Sequence, residues 1–156
     1  MRITSILLLL GWLLSPASAE TFRLATFSAD VTVPIGHGMM GGSWKATSVA
    51  DPLFAKGIIL RAAEDGAAFR PIVVVVVDWC EIRNDALTRW EAGLSDAVGT
   101  SPERVLVSTV HQHEAPVADL EAERILRARS AQGAITDLEF HEAAVQRVAA
   151  AAKAAL

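Results

Sequence analysis

The chain has 156 residues, with 14 Lys and Arg against 18 Asp and Glu, a formal charge of −4 at pH 7. That acidic balance argues against nucleic acid or an anionic membrane surface as partner. A single cysteine, Cys80, excludes an internal disulfide, and the length is enough for one domain with its own core.

Met1-Arg2 gives a positive start, and Ile6–Leu14 is an apolar run. Pro16 breaks that run, and Ala17-Ser18-Ala19 is an A-x-A cleavage site. Residues 1–19 therefore read as a secretory signal peptide, with a short buried N-terminal helix as the plainer alternative. The apolar run is too short for a membrane span, which takes roughly 20 residues. No second long apolar segment follows, so residues 20–156 are expected to be soluble after cleavage, secreted or periplasmic.

Thr21–Thr32 reads as a strand rich in β-branched and aromatic residues. Pro34, Gly36, Gly38, Gly41 and Gly42 then predict a loop without regular structure. Such a loop lets backbone approach something closely, or is simply a flexible connection. Leu53–Ala62 reads as the next strand, and Glu64-Asp65-Gly66 as a turn. Ile72–Val77 is a continuous run of β-branched residues, the pattern of a central strand in a sheet covered on both faces. These two strands are expected to pair as an antiparallel hairpin.

Asn84 looks like a helix N-cap, with Asp85 in the first turn. Leu87, Trp90, Leu94 and Val98 recur at helical spacing, and Gly99 is placed as the stop. Val105–Val110 is a second apolar strand, so residues 72–110 read as a βαβ crossover between parallel strands. Two helices are expected beyond it. Asp119–Arg129 carries Leu120, Ile125 and Leu126 on one side. Asp137–Leu156 is alanine-rich, with Phe140, Val145 and Val148 as its larger apolar positions; it needs a surface to pack on. The whole reads as an α/β fold: a mixed sheet of about four strands with a βαβ crossover and flanking helices. Open sheet edges and a helix running up to Leu156 make it look like an incomplete domain, the front part of something larger.

The strongest local feature is Val110-His111-Gln112-His113-Glu114-Ala115-Pro116. Alternate residues of an extended chain share a face, so His111 and His113 should point the same way. They lie just past the carboxyl end of a parallel strand, where open α/β sheets place ligands. Neutral imidazole is a common Zn²⁺ ligand, but a catalytic zinc usually takes three protein ligands. The pair is therefore either part of a metal site or two polar residues at a strand end. Asp78, in Asp78-Trp79-Cys80-Glu81, leaves the same sheet edge; it could orient a histidine or accept backbone N–H bonds. Cys80 reads as a small buried hydrophobe or as a reactive or metal-binding thiol. His37 could fold over the cleft or lie solvated in its loop. A third metal ligand would have to come from Asp78, Cys80, Glu114 or His37.

Four stretches in order carry a resemblance: residues 27–36 (Phe-Ser-Ala-Asp-Val-Thr-Val-Pro-Ile-Gly), 51–57 (Asp-Pro-Leu-Phe-Ala-Lys-Gly), 77–80 (Val-Asp-Trp-Cys) and 107–116 (Val-Ser-Thr-Val-His-Gln-His-Glu-Ala-Pro). Over nearly all of residues 22–156 the chain resembles the N-terminal part of the neutral/alkaline non-lysosomal ceramidase family. The resemblance implies a zinc amidase that hydrolyses the N-acyl bond of ceramide. It implies that His111 is a zinc ligand and that His113 contacts substrate or the reacting oxygen. The family's motif is usually Thr-His-Thr-His followed by Ser-Gly-Pro, so Gln112 and Glu114 are departures. Its other ligands, a His, a Glu and a Tyr, belong to segments beyond position 156, and His141 does not match them. The expected function is thus an exported zinc-dependent amide hydrolase, present as its N-terminal part, acting on a small-molecule or lipid amide. The alternative is a truncated or degenerate, non-catalytic exported protein with at most weak metal binding. A binding module built on the glycine-rich loop is a third reading. The 156-residue chain by itself is expected to show no meaningful turnover.

Overall fold

A computed structural model describes residues 21–63, 69–131 and 134–156. The expected signal peptide and the Glu64-Asp65-Gly66 turn lie outside the described residues. In chain order the strands are β1 (Phe22–Asp30), β2 (Gly38–Met39), β3 (Trp44–Lys45), β4 (Phe54–Ala62), β5 (Ile72–Val77) and β6 (Glu81–Ile82). Helix α1 (Asn84–Val98) leads to β7 (Val105–Thr109) and β8 (Val117–Ala118), and α2 (Leu120–Arg127) and α3 (Leu138–Ala154) follow.

The main sheet has four strands in the order β1-β4-β5-β7. β4 pairs antiparallel with β1 and with β5, while β5 and β7 are parallel, with Val73 opposite Val105 and Val77 opposite Thr109. The mixed sheet, the hairpin and the βαβ crossover are therefore all present. Gly99 ends α1 in the left-handed conformation (φ 72°), its N–H bonded to the Ser95 carbonyl.

Among the described residues the sheet is covered on one face only, which corrects the expectation of a two-sided cover. Val73, Val75 and Val77 are fully buried, and they pack with Trp79, Trp90, Leu94, Val145 and Val148 under α1 and α3. The opposite face shows Leu24 at 62%, Ile58 at 40%, Val76 at 39% and Leu106 at 59% exposure. An unbroken valine run has the same composition whether one face is covered or both, so periodicity could not distinguish them.

Three further expectations change. Asn84 does not cap α1: Arg83 precedes the helix in extended conformation without a side-chain cap, and Asn84 itself takes φ 48°. Its side-chain amide donates to Asp119 instead, at 2.9 Å. In α2 the buried side chains are Leu120 and Glu123, while Ile125 is exposed. The glycine-rich loop contains regular structure after all, since β2 and β3 pair across a short 3-10 turn.

The alanine-rich α3 finds its surface on α1 and β1. Small residues let it lie close, and Arg89 of α1 clasps Glu142 through two hydrogen bonds, from Nε at 2.8 Å and from Nη2. The Glu142 carboxyl is held down at about 2, first by the Arg89 hydrogen bond. His141 is buried beside Trp79 and Trp90, and its Nε2 has no hydrogen-bond partner among the described residues. Burial pushes its pKa down to about 4 from 6.5; Glu142 and Asp85 oppose that shift and Arg89 adds to it.

An unfolded His141 takes up its proton near pH 6.5, a folded one only near pH 4. Its contribution is complete above pH 6.5 and is lost as pH falls towards 4, about 3 kcal/mol in all. Burial lowers the His37 pKa too, so it acts in the same direction. Urea midpoints should fall steadily between pH 6.5 and 4, and His141→Phe should flatten that slope without abolishing it. An unchanged slope in the variant would assign the acid sensitivity elsewhere.

Candidate metal centre

The site is built where β5 and β7 end side by side. The pairing continues past the strands, with the Val110 N–H donating to the Val77 carbonyl at 3.1 Å. Both chains then turn away from the sheet. Beyond the turn they meet again as a short parallel pair, with Glu81 opposite Val117 and Ile82 opposite Ala118. The intervening segments, 78–80 and 110–116, enclose the candidate residues.

The Cys80 carbonyl is the hub of this region. It accepts the Thr109 hydroxyl at 3.0 Å and faces Nδ1 of His111 at 3.1 Å. A carbonyl only accepts, so this contact places a proton on His111 Nδ1, and in the neutral ring that leaves the Nε2 lone pair open. His111 takes φ 58°, a left-handed conformation that costs a non-glycine residue about 1 kcal/mol or more. Strain of this kind persists only where surrounding contacts hold it, and it gathers at functional sites.

His111 and His113 do lie together, their ring centroids 5.5 Å apart and nearly perpendicular. Both are exposed. Cys80, Glu81 and His111 form a group in which one potential ligand atom from each lies within 4.8 Å of the others. A thiolate, a carboxylate and an imidazole are the donor types zinc takes, so the residues present fit the metal that the family resemblance implies. Glu81 pairs with Arg83 through Oε2, while its Oε1 stands 3.6 Å from His111 Nδ1. Cys80 is buried with Ala115 and Val117, against Met40 and Leu53. Burial, then the Glu81 charge, pushes its thiol pKa up. Glu81 is the member that sequence reasoning did not propose as a ligand.

The remaining candidates have structural work. Asp78 Oδ2 accepts the Phe54 N–H at 2.9 Å and thereby fixes the start of β4; it does not orient a histidine. His37 neither enters the cleft nor lies solvated. It is buried, with Nδ1 donating to the Gly38 carbonyl at 2.7 Å and Nε2 accepting the Asp137 N–H at 3.1 Å. Its loop makes its close backbone approach to Ala134: a side chain at Gly38 or Gly42 would collide with the Ala134 carbonyl. That leaves the glycines a packing role and removes the main support for a loop-based binding module. Glu114 is exposed, and Gln112 donates to the Asp78 carbonyl at 3.0 Å. These two line a groove of about 470 Å³ with Trp44, Ser48, Val49 and Leu53, and neither histidine reaches its wall.

The solved structures that the fold matches include two ceramidases. Neutral ceramidase from Pseudomonas aeruginosa aligns with a TM-score of 0.65 at 19% identity, over 88% of this chain and 22% of that one. The fold is ceramidase-like. A ceramidase complexed with C2 aligns equally well, at 19% identity and TM-score 0.65, over 88% of this chain and 21% of that one. The chain thus spans about a fifth of the length of these ceramidases. No protein-family model matches the sequence, and no curated protein matches it.

Two substitutions separate scaffold from chemistry. Asp78→Ala should lower stability by about 1–2 kcal/mol through the unpaired Phe54 amide, read from the urea midpoint, with bound zinc unchanged. Gly38→Ala should destabilise by a similar amount or more, because the backbone carbonyl it meets cannot rotate away. Loss of zinc in folded Asp78→Ala would return that carboxylate to the site.

Proposed function

We propose that the chain is an exported zinc-dependent amide hydrolase of neutral ceramidase type, of which residues 20–156 form the N-terminal part. The observation that carries this reading is the pair of adjacent imidazoles at the carboxyl end of β7, within a ceramidase-like fold. Residues 1–19 act as the signal peptide, and the product is secreted or periplasmic. Among the described residues no helix is long and apolar enough to cross a membrane. The substrate is an N-acyl amide, N-acylsphingosine or a smaller relative.

In this reading His111 holds Zn²⁺, and its Nδ1–H bond to the Cys80 carbonyl keeps the ring from turning. Bound zinc supplies a polarised carbonyl and a water whose pKa is lowered to about 7. His113 contacts the substrate at the reacting oxygen, from an exposed position beside His111. Hydrolysis adds the water oxygen to the acyl carbon, breaks the C–N bond and places a proton on the leaving nitrogen. The products are a carboxylic acid and an amine, with no change of oxidation state.

The groove beside the motif has apolar walls at Val49 and Leu53 and polar ones at Gln112 and Glu114. That mixture suits an acyl amide better than a fully polar substrate. A non-catalytic relative with weak metal affinity is the second reading. What favours it is that Gln112 and Glu114 depart from the family's usual motif. The family's later His, Glu and Tyr ligands fall outside positions 1–156.

Zinc analysis of the purified protein should give about one ion per chain, and His111→Ala should remove most of it. Equal zinc in both proteins would strike His111 from the ligands. In a family-length enzyme, His113→Ala should lower kcat/KM for N-acylsphingosine by about 100-fold or more while zinc stays bound. The 156-residue chain alone should release no fatty acid above background.

A further inference from the structure

A helix N-cap satisfies N–H groups of the first turn with its side chain, but its own N–H still needs a partner. In a capping box that partner is a Glu or Gln side chain three residues on. In α3 the cap is Asp137, whose carboxylate accepts the Glu139 and Phe140 N–H groups at 2.8 and 3.0 Å. Phe140 stands where the Glu or Gln would be. The Asp137 N–H goes instead to Nε2 of His37, 100 positions earlier in the chain, at 3.1 Å. Nδ1 of the same ring donates to the Gly38 carbonyl at 2.7 Å, and Phe140 lies edge-on to it with centroids 5.3 Å apart.

We propose that His37 is a positioning residue for the histidine motif: its neutral ring clasps the β2–β3 hairpin to the start of α3, and the hairpin holds residues 112–115 and one wall of the groove beside them. The inference goes beyond the proposed hydrolysis and rests on it only for what the groove receives.

The connection runs bond by bond. The His37 carbonyl accepts the Ala46 N–H at 2.9 Å, and the Gly36 N–H donates to the Ala46 carbonyl at 2.7 Å, so the base of the hairpin closes beside the ring. Gly38 then pairs with Lys45 and Met39 with Trp44. At the tip the Met40 N–H donates to the Ala115 carbonyl at 2.8 Å, two residues after His113. The Met40 side chain packs on Cys80, Ala115 and Val117. Met39, Trp44 and Ala46 line the same groove as Gln112 and Glu114. The hairpin thus has two seats, one at the entrance to α3 and one on Ala115, and His37 fixes the first.

The clasp works in one protonation state. Nε2 accepts with its lone pair, so a proton there would face the Asp137 N–H and break the bond. Burial, the largest influence, keeps the ring neutral; the Gly38 bond and then Asp137 oppose it, Lys45 adds to it and Glu123 opposes it. Arg127 lines the same small pocket as His37, Lys45 and Asp137. The clasp is therefore whole above pH 6.5, the ordinary histidine value, and opens in the acid range below it.

Amide exchange on the ¹⁵N-labelled chain tests this. At pH 7, long-range ring correlations should show His37 protonated on Nδ1 alone. His37→Phe should lower the protection of the Asp137 and Met40 amides by about 10-fold relative to those of β5, the loss of one hydrogen bond to a buried group. His37→Gln can accept the Asp137 N–H and does not titrate, so it should restore most of that protection. Acid should lower protection at the same two amides in the wild type and not in His37→Gln. Should His37→Phe fail to fold, that comparison decides alone. A short-chain N-acylsphingosine should bind His37→Phe about 10-fold more weakly than wild type, with recovery in His37→Gln. A merely structural histidine would lower protection in β5 and the hairpin alike. That pattern, an unmoved Met40 amide, or unchanged N-acylsphingosine affinity in His37→Phe would overturn the proposal. A wild-type chain that ignores N-acylsphingosine while the exchange pattern holds would remove the substrate reading and leave the clasp.

Discussion

The parallel pairing of β5 with β7 is the constraint on which the rest depends. Its register, Val77 opposite Thr109, brings two chain segments to the same height at one sheet edge. Everything with chemical character then follows within a few residues: Asp78, Cys80 and Glu81 on one side, His111 and His113 on the other. A slip of one residue would turn every side chain of a strand to the other face. The buried set Val73, Val75 and Val77 forbids such a slip, because it would drive these valines out of the core beneath α1 and α3. Core packing thus sets the geometry of a site that is itself half exposed.

The second parallel pair, β6 with β8, turns that edge into a pocket wall. Without it, segments 78–80 and 110–116 would be two loops meeting by chance. With it, they are tied at both ends, and the short span between must bend. The positive φ at His111 is that bend expressed in one residue. Its cost is offset locally, since the Cys80 carbonyl receives the Thr109 hydroxyl and faces the imidazole N–H. One carbonyl therefore links the strain, the tautomer of His111 and the position of the thiol.

Much of this was legible in the sequence, and the failures have physical causes. The crossover was legible because β5, α1 and β7 each show an unambiguous period or run, with Gly99 marking the helix end. The histidine pair was legible because spacing alone puts residues 111 and 113 on one side. Glu81 was not, because only the fold brings its carboxylate to 3.6 Å from the His111 ring. His37 was misjudged because its partner, the Asp137 amide, lies 100 positions away. Glycine abundance announced a close approach, yet only the fold names Ala134 as what is approached. Glu123 carries no signal in the sequence. It is fully buried because it accepts the Ile135 and Thr136 amides, at 3.0 and 3.3 Å, where the chain enters α3.

The two faces of the main sheet matter unequally for this site. The covered face runs without interruption from the buried valines of β5 through Trp79, whose indole N–H donates to the Val31 carbonyl at 3.0 Å. Trp79 immediately precedes Cys80, and its ring stacks edge-on against Trp90. The aromatic core is therefore directly joined to Cys80, whose carbonyl faces His111, and a change in its packing moves that carbonyl. The opposite face exposes Leu24, Ile58, Val76 and Leu106 among the described residues. Exposed apolar positions contribute little to the position of Cys80, whereas an indole with two anchors contributes a great deal. A metal site of this kind is preorganised from beneath, by the same packing that stabilises the fold, and its chemistry faces outward.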